Sequence, residues 1–135
     1  MDNLCSFRGW FFAAAVYNLL WGVWVVLYPR GYFEILGMPV PSMLALWQSV
    51  GMIVGVYAIG YWLVARDPVR YGAFALIGLL GKVFGPIGFV WTALRGELPW
   101  VFGWINVTND LIWLPAFGVF CWRWWRVERV EGRGP

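Results

Sequence analysis

Six polar side chains sit inside stretches that are otherwise apolar: Asn18, Gln48, Lys82, Asn106, Asn109 and Asp110. Two of them carry opposite formal charges. A desolvated lysine can act as a base, a nucleophile or an anchor for an oxygen acceptor, and a carboxylate can neutralise it. Amides supply the remaining donors and acceptors that a buried charge requires. Asn106, Asn109, Asp110 and Trp113 follow one another at i, i+3, i+4 and i+7, which is one stripe of a helix.

Other chemistry is missing. The chain has no histidine, which removes imidazole-ligated haem, most zinc sites and most catalytic triads. No glycine-rich phosphate loop and no metal-ligand spacing is present. No cofactor, metal or catalytic residue is expected, and an enzyme is the least supported class.

The elements that must carry these groups are membrane helices. Of the 135 residues 61% are hydrophobic and only 13% charged, against about 25% charged in a soluble domain. Twelve tryptophans fit the same reading, because indole rings gather at membrane–water boundaries. Almost every charge falls in a connection or a terminus, which argues against a nucleic-acid partner. A span needs about 20 apolar residues. Four stretches qualify, from about Trp10 to Tyr28, Ser42 to Val64, Tyr71 to Leu94 and Trp100 to Trp122, followed by a short basic tail from Arg123 to Pro135. The expected fold is all-α: a single-domain, polytopic membrane protein built as an antiparallel four-transmembrane-helix bundle. The first stretch is too long for a signal peptide and lacks an A-x-A-like cleavage site, so it is read as a mature helix.

The breaks between spans have physical causes. Pro29 ends the first, and Pro39 and Pro41 precede the second. Asp67 is expected to cap the third helix, with Pro68 at its first position. Gly96-Glu97-Leu98-Pro99 forms a tight turn into the fourth. The segment from Arg30 to Val40 is expected to lie in the interface as a short amphipathic turn, with a lid as the alternative.

Orientation follows from the basic residues. Arg8, Arg66, Arg70, Arg123, Arg126, Arg129 and Arg133 fall on one side, and only Arg30 and Arg95 on the other. The positive-inside rule places the first group, and hence both termini, in the cytoplasm. Cys5 and Cys121 then face a reducing compartment, where free thiols are expected. Arg123-Trp124-Trp125-Arg126 is read as an interfacial anchor.

Helical rise puts Lys82 and Asp110 at a common depth of about 18 Å from the cytoplasmic side, with Gln48 and Asn106 at about 24 Å and Asn18 at about 12 Å. A charge at a helix centre costs about 2.5–3.5 kcal/mol. These groups should therefore turn inward, with Lys82 and Asp110 forming an ion pair or hydrogen bond. The inward stripes are expected to be Ala14, Asn18, Trp21 and Val25; Gln48, Gly51, Gly55, Ala58 and Trp62; and Gly78, Lys82, Gly85 and Phe89. Pro86 leaves the carbonyl of Lys82 without its usual donor and predicts a kink, and Pro115 does the same for Leu111. The structural reading of this cluster is interhelical glue, aided by small residues spaced like Gly51 and Gly55.

Trp21-Gly22, Tyr28-Pro29 and Ile35-Leu36-Gly37-Met38-Pro39 ahead of the second helix resemble small bacterial membrane proteins of the DoxX-like group, over roughly the whole chain. The run from Asn109 to Pro115 is also similar to the last helix of the emopamil-binding (EXPERA) sterol isomerases. Those enzymes use acidic residues and a histidine on earlier helices, whereas this chain has Lys82. The resemblances imply a bacterial cytoplasmic (inner) membrane location, a four-helix architecture and a pocket for an apolar molecule, but no reaction.

The preferred function is binding or carrying a small lipophilic molecule. Lys82, Asp110, Asn106, Asn109, Gln48 and Asn18 would supply the polar centre, and Trp21, Trp47, Trp104 and Trp113 the walls. The alternatives are an accessory subunit of a larger membrane complex, reached through Trp24, Trp62 and Trp91, or a small homo-oligomeric transporter or channel working through a Lys–Asp pair. Membrane lipids are partners in every case.

Overall fold

The computed structural model describes residues 2–130 and Gly132. It is all-helical, and no strand occurs among the described residues. A short α1 (Asp2–Cys5) precedes α2 (Arg8–Leu27). Then follow α3 (Gly31–Ile35), α4 (Leu44–Arg66) and α5 (Gly72–Leu94). The last rod is composite: a 3₁₀ turn (Trp100–Gly103), α6 (Trp104–Asn106), a π-helical stretch (Val107–Leu111) and α7 (Leu114–Val130). Three helices, α2, α4 and α5, are long and apolar enough to cross a membrane.

Neighbouring rods run antiparallel. Arg8, Asn18 and Gln48 tie α2 to α4 through the carbonyls of Ala65, Val54 and Val26, so position rises along one helix as it falls along the other. The same reversal links α5 to the last rod, where Gly72 meets Trp124, Gly85 meets Asp110 and Gly103 meets Phe89. The α2–α4 contact is made by backbone. A Cβ on Gly22 would lie 2.6 Å from the Gly51 carbonyl oxygen and 3.1 Å from the Gly55 Cα. Only hydrogen-sized side chains permit that approach.

Turn chemistry closes the helices. Gly37 (φ 65°) and Gly96 (φ 73°) adopt the left-handed conformation. Each begins a Schellman motif: Gly37 and Met38 donate to Glu34 and Phe33, and Gly96 and Glu97 donate to Ala93 and Thr92.

Several expectations need correction. The Asp67 carboxylate accepts the Arg70 amide at 3.0 Å, so it caps the turn ahead of α5 and not α5 itself, which starts at Gly72. α5 carries Pro86 within its length and ends at Leu94, as expected. The segment after Pro29 contains the short helix α3, whose Tyr32 and Phe33 are buried against Trp47 and Phe102 while Glu34 and Ile35 are exposed. The basic tail is helical to Val130, because nothing breaks the helix and Arg126 and Arg129 sit over the rings of Trp122 and Trp125 one turn back. Arg133 lies outside the described residues.

Two buried clusters frame the molecule. One joins Leu4, Phe7, Phe11, Tyr61, Val64, Trp113, Phe117 and Phe120 around the free thiol of Cys121. The other joins Trp21, Val25, Tyr32, Phe33 and Trp47. The polar residues lie between them.

Candidate ligand site

A cavity of about 280 Å³ separates the two clusters. Asn18 and Trp21 reach it from α2, and Lys82, with Gly78, Gly81 and Gly85, from α5. The last rod contributes Asn106, Asn109 and Asp110. Tyr61, a member of the first cluster, forms one end and Trp21, a member of the second, the other. Six of the expected site residues thus converge: Asn18, Trp21, Lys82, Asn106, Asn109 and Asp110.

Three others do not. Gln48 turns toward α2 and donates to the Val26 carbonyl at 2.8 Å. Trp47 is part of the second aromatic cluster, and its indole nitrogen is buried without a partner among the described residues. Trp113 packs on Tyr17 and donates to the Thr108 carbonyl at 3.0 Å. Trp104 is exposed. The expected inward stripe of α4 is also displaced: Gly51 is spent on the α2 contact, Gly55 sits beside Gly22, and Trp62 faces out. Val50, Ile53, Val54, Tyr57 and Tyr61 line the cavity instead. Close backbone approach at Gly22 sets the rotation of α4 about its axis, and that rotation carries the glycine stripe away from the site.

Lys82 is 4% exposed, yet it does not pair with Asp110. Its ammonium donates to the backbone carbonyl of Asn109 at 2.6 Å and lies over the rings of Tyr61 and Phe117 at 5.5 and 5.3 Å. No ion pair between Lys82 and Asp110 forms among the described residues. The π-helical stretch explains the change of partner. In a regular α-helix the Trp113 amide would bond the Asn109 carbonyl. Here it bonds Asp110 at 3.1 Å, and the Ile112 amide reaches back to Val107 at 3.2 Å. The Asn109 carbonyl is left for the ammonium. Proline at position 115 pointed to a released carbonyl on Leu111, whereas the one that is used lies two residues earlier.

The Asn109 side chain is fixed from the other direction. Its Oδ1 accepts the Tyr17 hydroxyl at 2.6 Å. Sequence reasoning passed over Tyr17, Tyr57 and Tyr61. The available signal was helical spacing, since Tyr57 and Tyr61 are one turn apart and Tyr17 precedes Asn18. Asn106 is 8% exposed, and its amide nitrogen has no acceptor among the described residues.

The wall is incomplete on one side. α4 and α5 touch where Phe74 meets Gly60 and Tyr61 meets Gly78. Beyond that level Val50, Ile53, Gly81 and Gly85 line the cavity but are exposed, and a Cβ on Gly81 would meet nothing within 4 Å. The cavity therefore opens sideways between α4 and α5, through an apolar rim. No protein family, curated protein or solved structure matches the chain.

Proposed function

We propose that this protein is a multi-pass membrane protein that binds or carries a small lipophilic molecule, admitted from the bilayer between α4 and α5. The carrying observation is the side-opening cavity with polar groups at its back and an apolar rim at its mouth. Pockets for small ligands have this composition: mostly apolar walls with a few placed polar groups. A mouth lined by Val50 and Ile53 faces hydrocarbon if the rods span the membrane, so an apolar molecule could enter without crossing water.

The finer topology belongs to the same proposal. The composite rod from Trp100 to Val130 crosses the membrane as a fourth span, both termini are cytoplasmic, and the membrane is the bacterial inner one. The unequal distribution of arginines supports the orientation. The irregular backbone of the fourth rod fits as well, because broken helices persist at membrane depth where they line a cavity or lie against protein. Transport through a Lys–Asp pair has less support, since the Lys82 ammonium is engaged by a carbonyl.

The test is extraction. Protein purified in mild detergent from its native membrane should release a lipophilic compound in near-equimolar amount on organic extraction. Gly81→Phe, which fills the mouth, should release far less while remaining monodisperse. A wild-type extract holding only bulk lipid in the proportions of the membrane would count against the proposal.

A further inference from the structure

Building on the lipophilic-pocket reading, we infer that the ligand is a neutral molecule whose polar end is a carbonyl oxygen, received by the Asn106 amide beside the Lys82 ammonium.

Three observations carry this. First, the cavity holds unmet donor capacity. The Asn106 Nδ2 is buried without an acceptor, and Lys82, with three N–H donors, has a single oxygen partner, the Asn109 carbonyl. On the same rod, Asn109 Oδ1 accepts the Tyr17 hydroxyl. A buried donor left unpaired in a native fold calls for an explanation, and an oxygen acceptor on a ligand supplies one.

Second, the formal charges inside the cavity sum to zero, with one ammonium on Lys82 and one carboxylate on Asp110. The Asp110 carboxylate stands beside Asn106: from the position of a Cβ on Gly85, Asp110 Oδ2 is 3.0 Å and Asn106 Oδ1 3.7 Å away. An anionic head would meet that carboxylate and leave a net charge in a low-dielectric site, which is costly. A carbonyl accepts the same hydrogen bonds without that penalty. Third, part of the wall is aromatic: Trp21, Tyr57 and Tyr61 line the cavity, and Gly81 of α5, where an added Cβ would meet nothing within 4 Å, leaves room for a ring-bearing body.

The test uses matched probes on full-length detergent-purified protein. 4-Hexylbenzophenone is a neutral apolar ketone that cross-links on irradiation to C–H bonds next to its carbonyl. 4-Hexyldiphenylmethane is the same molecule with CH₂ in place of C=O, and 4-hexylbenzoate is an anionic comparison. Saturable cross-links are expected in the peptides holding Gly81–Gly85 and Ile105–Asp110. Unlabelled ketone should compete about tenfold better than the methylene analogue, as one hydrogen bond to a buried donor implies, and better than the benzoate. Asn106→Leu should abolish the preference for the ketone without abolishing saturable labelling. Asn106→Asp, which exchanges the donor for an acceptor, should abolish it as well.

Equal competition by ketone and methylene compound, or stronger competition by the benzoate, would overturn the inference while leaving the lipophilic pocket in place. An unchanged preference in both variants would also overturn it. Absence of saturable labelling by the benzophenone, with Gly81→Phe releasing as much lipophilic compound as wild type, would remove both the inference and the pocket reading beneath it.

Discussion

Some polar side chains at the cavity are held by partners within the fold. Tyr17 holds Asn109, and Asn109 presents its carbonyl to Lys82. Tyr17→Phe should therefore cost about 1 kcal/mol of stability, the usual net worth of one hydrogen bond, measured by unfolding in mixed micelles. A larger effect on ligand retention than on unfolding would show that the Tyr17–Asn109 contact also shapes the site. In the second aromatic cluster, Tyr32 donates to the Phe102 carbonyl at 2.8 Å, and burial pushes its hydroxyl up to about 12 from an ordinary 10.0. A raised value in the folded state means that the proton is held more tightly there. The stabilisation is thus complete below about pH 10 and is lost as pH rises toward about 12. Tyr32→Phe should flatten the fall in stability across that window, read from denaturation midpoints at successive pH values. An unchanged slope would assign the alkaline loss to other groups.

At the scale of the element, two helices are paired by what they lack. Gly22→Ala should destabilise the α2–α4 pair by about 1–3 kcal/mol, because the new methyl meets backbone that cannot yield. Gly81→Ala is the control. It meets nothing, and loss of glycine's unfolded-state freedom should make it neutral or stabilising by about 0.5–1 kcal/mol. Equal effects of the two substitutions would refute backbone contact as the basis of the pairing. The π-helical stretch is the other decisive element. Its five residues, Val107 to Leu111, redirect two amides and free a carbonyl for Lys82. Such bulges recur at functional sites because they place backbone groups where a regular helix hides them.

At the scale of the whole molecule, the proposed topology can be checked by labelling with a membrane-impermeant thiol reagent. Against a cysteine-free background, Ser42→Cys and Glu97→Cys should react from outside intact cells. Restored Cys5 and a new Arg70→Cys should react only in inverted vesicles. Glu97→Cys and Glu128→Cys labelling from the same side would mean that the composite rod does not cross.

Much of this architecture was legible in the chain. Apolar runs longer than a bilayer is thick, proline and glycine at the breaks, and polar groups at matched depths are local properties that helical rise converts directly into position. That is why α2, α4 and α5 fall within two residues of their expected starts and ends, and why Lys82, Asn106, Asn109 and Asp110 share one cavity. Rotation about the helix axis was not legible. Whether Gly51 or Tyr57 faces the site depends on which neighbour can approach to backbone distance. The partner of Lys82 depended on tertiary structure in the same way. An ammonium takes the nearest acceptor it can reach, and a carbonyl released by a change of helical pitch on another rod becomes visible only when the two rods are side by side.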